Sequence, residues 1–202
     1  MSSFIKKKAD VNNPDSSKVY SHTEQCKPIL FHPESMNIYF VGPRGSGKST
    51  LAKRVSAELE NSYIDTDDLI TQRCGQTISE IVSEQGWDGF RLTEHQVLQE
   101  VSSTSNCTVA TGGGAVLLPE NRELLKRNGI VFYLIADADI LYNRLKDKEQ
   151  DTTRPSLSSL PLKEELGKTL MQRENLYLEV THYILQANKD IEKLLTDVLT
   201  NL

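Results

Sequence analysis

The sequence predicts a three-layer α/β/α protein built on a five-stranded parallel sheet. Three observations predict it. Five short runs are apolar along most of their length rather than on alternate residues, as in strands buried on both faces. Segments with helical spacing separate each run from the next, as parallel strands require. Three of the runs stop at glycine or aspartate, residues that open turns.

The first run is Asn37–Val41, ending at Gly42. Helical spacing follows over 49–60, with Leu51, Val55 and Leu59 four apart. Tyr63 and Ile64 form a second strand leading into Asp65. Helices are expected over 69–74, 78–84 and 90–101. The third strand, 108–111, is stopped by Gly112, Gly113 and Gly114. A helix over 121–127 precedes the fourth strand, 130–135. Helices over 140–145 and 162–180, the strand Tyr183–Gln186 and a helix over 191–199 complete the pattern.

Residues 1–36 read differently. They are rich in Ser, Asn, Lys and Asp, contain Pro14, Pro28 and Pro33, and lack sustained periodicity, which reads as a largely disordered extension. An organelle transit peptide is the alternative. The absence of Arg and the presence of Asp10, Asp15, Glu24 and Glu34 argue against it. No apolar run reaches the ~18 residues that span a bilayer, and the first residues lack the apolar core of a secretion signal. Cys26, Cys74 and Cys107 are scattered, without a Cys-x-x-Cys pair, so reduced thiols in a cytoplasmic protein are expected. His22, His32, His95 and His182 show no metal spacing. A net charge of −5 argues against nucleic-acid binding, which favours a basic face.

The first strand runs into Gly42-Pro43-Arg44-Gly45-Ser46-Gly47-Lys48-Ser49. This is the full phosphate-loop pattern, with a strand before it and a helix after. Glycines let backbone N–H groups turn inward to phosphate oxygens, and the helix adds its positive end. Gly45, Ser46, Gly47, Lys48, Ser49 and Thr50 are therefore the candidate ATP-binding stretch. Lys48 supplies mobile charge to the outer phosphates, and Ser49 a hydroxyl for Mg²⁺. The loop alone does not separate GTPases, motor ATPases and small-molecule kinases. Asn188-Lys189-Asp190 sets its acid one residue too early for guanine recognition. Asp137, after the fourth strand, suits a helix cap better than a metal ligand.

The second strand ends in Asp65-Thr66-Asp67-Asp68. Two carboxylates at the mouth of a parallel sheet suit a metal ligand and a proton acceptor, or equally a helix cap followed by acids in the first turn. Arg91 and Glu94 share a helix face, as a surface ion pair would. Three glycines in a row after the third strand suit close backbone approach to a ligand, or a plain turn.

In this order and at these spacings, the residues resemble the shikimate kinase family. Thr153-Arg154-Pro155 resembles the family's lid, and the segment from Gln172 and Arg173 through Leu176, Tyr177 and Val180 resembles its Arg-x-x-Leu-Tyr-x-x-Val stretch. Gly-Pro-Arg-Gly and Trp-x-Gly-Phe-Arg look most like the bacterial type II isoenzyme. Asn175 stands where many members have Pro. The resemblance runs from Asn37 to about the C-terminus, roughly four-fifths of the chain, and is silent on the extension.

The resemblance implies a P-loop, nucleoside-monophosphate-kinase-like fold over 37–202, with a mobile lid at about 146–161. It implies a cytoplasmic monomer that phosphorylates shikimate with ATP and Mg²⁺ in aromatic amino-acid biosynthesis. It assigns Arg91 and Arg173 to the shikimate carboxylate and Asp67 to the ring hydroxyls. Gly112, Gly113, Gly114 and Glu94 would line the same pocket. Asp65 would join Ser49 at the metal, Arg154 would reach the transferred phosphoryl group beside Lys48, and Arg144 would stack on adenine. Trp87, the only tryptophan, should report on shikimate by its fluorescence. Two rivals remain: a kinase of a nucleoside monophosphate or of another hydroxy acid such as gluconate, and a non-catalytic shikimate-kinase-like binding protein. The second would be expected to lose Lys48, Asp67, Arg91 or Arg173, and all four are present.

Overall fold

The computed structural model describes residues 36–146 and 160–202. The expected disordered extension, nearly all of the expected lid and Arg154 lie outside those residues.

The elements run β1 (Asn37–Val41), α1 (Lys48–Glu58), β2 (Ser62–Asp65), α2 (Thr66–Cys74), α3 (Ile78–Ser102), β3 (Cys107–Ala110), α4 (Pro119–Asn128), β4 (Gly129–Ile135), α5 (Ala138–Leu145), α6 (Leu162–Val180), β5 (Tyr183–Gln186) and α7 (Ile191–Thr200). The five strands form one sheet in the order β2-β3-β1-β4-β5, and every pairing is parallel. The expected α/β/α fold with a five-stranded parallel sheet is thus observed. Most elements end within a few residues of the expected positions. The largest difference is α2, which starts at Thr66 instead of 69, so Asp67 and Asp68 sit in its first turn.

Strand pleat divides the interior into two cores. Ile38 and Phe40 face one side with Leu51 and Val55 of α1, Leu141 of α5 and Leu194 of α7. Tyr39 and Val41 face the other with Ile70 of α2, Val97 and Leu98 of α3 and Leu125 of α4. Consecutive strand residues point to opposite faces, so a strand covered on both sides must be apolar throughout. Fully burying each such side chain contributes about 1.5–3 kcal/mol. Phe40 stacks on Phe132, and Phe132 on Tyr183, with centroids 5.6 and 5.2 Å apart, tying β1, β4 and β5 across one face.

Local signals set the helix ends. Asp137 caps α5, its Oδ1 accepting from the Ile140 N–H at 2.8 Å, as expected. Thr77 and Glu80 form a reciprocal capping box at the start of α3. The two helices expected over 78–84 and 90–101 are both present within α3, separated by a kink at Gly86, whose backbone is not helical (φ 71°, ψ 177°). Among the described residues, no helix is long and apolar enough to cross a membrane.

His182 extends the β4–β5 pairing. Its N–H donates to Val131 O at 2.9 Å, and its Nδ1 accepts from the Val131 N–H at 3.1 Å. Burial lowers its pKa below the ordinary histidine value of 6.5. The folded state therefore resists a proton that the unfolded chain accepts. The stabilisation is complete above pH ~6.5 and is lost as pH falls from there through the lowered folded value. The urea midpoint of the wild type should fall more between pH 7 and 5 than that of His182→Asn. Parallel pH profiles would remove His182 as the cause.

Candidate active site

The site lies at the carboxyl ends of the strands, where open parallel sheets bind ligands. The phosphate loop leaves β1, the centre strand, and Gly47 takes φ 104° to start α1. A side chain rarely adopts that backbone angle, which is why glycine is needed there. Lys48 is 8% exposed and its Nζ donates to Gly42 O and Pro43 O, each at 2.9 Å. Its ammonium group is thus poised within the loop itself.

Of the readings its sequence position suggests, the helix cap is observed at Asp65. Its Oδ1 accepts from the Asp67 N–H at 3.0 Å and caps α2. Its Oδ2 accepts from Ser49 Oγ at 2.7 Å and from the Tyr63 hydroxyl at 3.3 Å. Burial, reinforced by the Asp65 charge, pushes the Tyr63 phenol up, so it remains a donor. A hydroxyl and a carboxylate side by side in the nucleotide crevice are hard oxygen ligands that fit a divalent cation. Among the described residues, no three or more His, Cys, Asp or Glu side chains are grouped so that they could hold a metal ion by themselves. A cation at Ser49 and Asp65 would therefore draw its remaining ligands from phosphate and water. Arg144 reaches the same crevice from α5, its guanidinium donating to Ser46 O at 2.9 Å and Ala187 O at 2.6 Å.

A second pocket opens beside the crevice. Asp67, Arg91, Glu94, the three glycines and Arg173 line it together, with Trp87 and Phe90 forming its apolar wall. Arg91 and Arg173, from α3 and α6, thus share one pocket. Arg91 is not in a surface ion pair. Its Nη1 meets Glu94 Oε2 at 2.5 Å, with side-chain exposures of 13% and 1%. The guanidinium carbon lies 5.4 Å from the Trp87 ring centre and 5.0 Å from that of Phe90. Burial pushes the Glu94 carboxyl up against the pull of Arg91, and the Asp67 charge adds to the rise while Arg173 opposes it. Glu94 Oε1 and Arg173 Nε are buried without a hydrogen-bond partner among the described residues. Such orphaned atoms in a pocket point to a polar ligand.

Two of the three glycines are required sterically. A Cβ on Gly112 would stand 2.6 Å from Asp67 Oδ1 and 2.7 Å from Glu94 Oε1, and one on Gly114 would overlap the Arg91 guanidinium. The Gly112 N–H donates to Thr66 Oγ1 at 2.9 Å. The Gly113 carbonyl accepts from Arg173 Nη1 at 3.1 Å and from the Tyr177 hydroxyl at 2.6 Å. Burial pushes the Tyr177 phenol up to about 12, against Arg173, so it donates at neutral pH. No role for Thr66 or Tyr177 was read from the sequence. For Tyr177 the available signals were its place in the Arg-x-x-Leu-Tyr-x-x-Val stretch and its position four residues after Arg173, one helical turn along the same face.

Pocket and crevice meet at Asp67 and Gly113. A phosphate loop joined at one carboxylate to a small pocket with two guanidiniums defines a P-loop phosphotransferase for a small anionic acceptor. The family model described as shikimate kinase matches residues 44–202, and the chain belongs to the shikimate kinase family. Membership implies ATP-dependent phosphoryl transfer assisted by a divalent cation. The chain is 42% identical over 165 residues to shikimate kinase 2 of Yersinia enterocolitica, covering 82% of this chain and 94% of that protein. It is 44% identical over 161 residues to shikimate kinase 2 of Photorhabdus laumondii, covering 80% and 92%. The solved structure of shikimate kinase from Acinetobacter baumannii in complex with shikimate matches with a TM-score of 0.76 at 36% identity, covering 82% of this chain and 94% of that one.

Proposed function

We propose that this protein transfers the γ-phosphoryl group of ATP to the 3-hydroxyl of shikimate, as a cytoplasmic monomer whose catalytic domain is 37–202. The observation that carries the reading is the meeting of the phosphate loop and the two-guanidinium pocket at Asp67.

Arg91 and Arg173 grip the shikimate carboxylate, since guanidinium donors match carboxylate geometry. The Gly112–Gly114 backbone and Glu94 complete the pocket around the ring. Asp67 accepts a hydrogen bond from the attacking hydroxyl. The hydroxyl oxygen bonds to the γ-phosphorus, the bond from phosphorus to the β–γ bridging oxygen breaks, and ADP leaves with that electron pair. The hydroxyl proton passes to the Asp67 carboxylate. Lys48 exchanges its loop carbonyls for the outer phosphate oxygens, and the backbone N–H groups of 45–50 bind the rest. Arg144 faces the adenine, and Arg154 from the lid adds positive charge at the transferred group. Ser49 and Asp65 would hold Mg²⁺, which when bound neutralises charge on the phosphates.

A coupled ADP-release assay offering shikimate, quinate, gluconate and AMP separately tests the reading. Shikimate should give the highest kcat/KM and quench Trp87 fluorescence saturably, because Trp87 lies on the pocket wall. Faster turnover of gluconate or AMP than of shikimate would sink it.

A further inference from the structure

The Gly113 carbonyl is shared by two donors from one helix. The Tyr177 hydroxyl reaches it at 2.6 Å and Arg173 Nη1 at 3.1 Å. The donors differ in freedom. Tyr177 is 1% exposed and its ring is stacked on Tyr133, with centroids 5.0 Å apart and planes at 25°. Its hydroxyl is fixed on the carbonyl by packing. Arg173 lies at the pocket wall, with a buried Nε that has no partner among the described residues.

A carbonyl oxygen can accept two hydrogen bonds, and one left with none inside a protein is costly. If Arg173 were the only donor to Gly113, turning toward an anion in the pocket would strip that carbonyl. With Tyr177 in place, the carbonyl keeps a partner wherever the guanidinium points.

We propose that Tyr177 is a positioning residue for acceptor binding, its hydroxyl satisfying the Gly113 carbonyl so that Arg173 is released to the acceptor's carboxylate. The inference rests on the reading of Arg173 as a carboxylate grip. It makes a distinctive prediction. Tyr177→Phe leaves the free protein folded, because Arg173 still serves the carbonyl, but penalises the move that binds acceptor.

The test compares wild type, Tyr177→Phe, Arg173→Met and the double variant for kcat, both KM values and thermal midpoint. Acceptor affinity is read from Trp87 fluorescence where turnover is too slow. Tyr177→Phe should raise KM for shikimate about tenfold, equivalent to about 1.4 kcal/mol. Its kcat and KM for ATP should stay within about twofold of wild type. On the Arg173→Met background the same change should alter shikimate affinity by less than about twofold, because no guanidinium remains to be released. Equal effects on both backgrounds would overturn the proposal. So would a fall in kcat at unchanged KM, or loss of folding in Tyr177→Phe. Wild-type turnover of shikimate with an unaltered Tyr177→Phe defeats this inference alone. A wild type that neither binds nor phosphorylates shikimate defeats the function reading and this inference together.

Discussion

Asp67→Asn lowers turnover of shikimate by about 10²–10⁴-fold, the range associated with one positioned proton acceptor, while ATP affinity stays close to wild type. Asparagine keeps the shape of the side chain. The Asp67 backbone N–H still bonds Asp65 Oδ1, so the cap of α2 survives. The change removes a negative charge and a proton acceptor from a residue only 8% exposed, where pocket and crevice meet. It also removes one of the influences that push the Glu94 carboxyl up, so Glu94 should ionise more readily in the variant. Steady-state kcat with shikimate and a separate nucleotide titration check the split. Near-normal turnover would remove Asp67 from the proton's path.

The parts of this molecule that were legible in the sequence are those governed by neighbours in the chain. A strand covered on both faces must be apolar along nearly all of its length, and 38–41 and 130–135 are. The Asp137 cap and the break near Gly86 follow from residues within one turn. Strand order was not legible. Placing β1 between β3 and β4 depends on how two cores assemble from distant helices, which no local pattern encodes. The site divides in the same way. The phosphate loop is a contiguous motif and could be read directly. Arg91 and Glu94 could be placed on one helix face, but not buried, because burial there is imposed by Trp87, Phe90 and the glycine run packing around them. For Asp65 the competing readings were a helix cap and a metal ligand beside Ser49. The structure shows the cap through Oδ1, while Oδ2 accepts from the Ser49 hydroxyl. The contact of Tyr177 with Gly113 O joins a side chain to a backbone atom 64 positions away, and backbone acceptors leave no mark on the sequence.

Gly112→Ala should lower kcat/KM for shikimate by a factor on the order of 10² without a comparable loss of ATP affinity. The backbone is not the obstacle, because Gly112 lies outside the left-handed region. The obstacle is the added methyl group, which would stand 2.6 Å from Asp67 Oδ1 and 2.7 Å from Glu94 Oε1, against an ordinary contact of 3.4–4 Å. Neither carboxylate can retreat easily. Asp67 is anchored in the first turn of α2, and Glu94 is 1% exposed and paired with Arg91. Accommodating the methyl therefore requires a shift approaching 1 Å in the group proposed to orient the attacking hydroxyl, and displacements of that size can cost about 10²-fold. Gly113→Ala is the control, since its nearest neighbour would be the Arg44 backbone nitrogen at 3.3 Å, a contact relieved by a few tenths of an ångström. Because the Gly112 effect is transmitted through Asp67, it should shrink to severalfold or less on an Asp67→Asn background, where no proton acceptor remains to be misplaced. A full 10²-fold loss on that background would show that the methyl acts elsewhere, on Glu94 or on the ring of the acceptor itself.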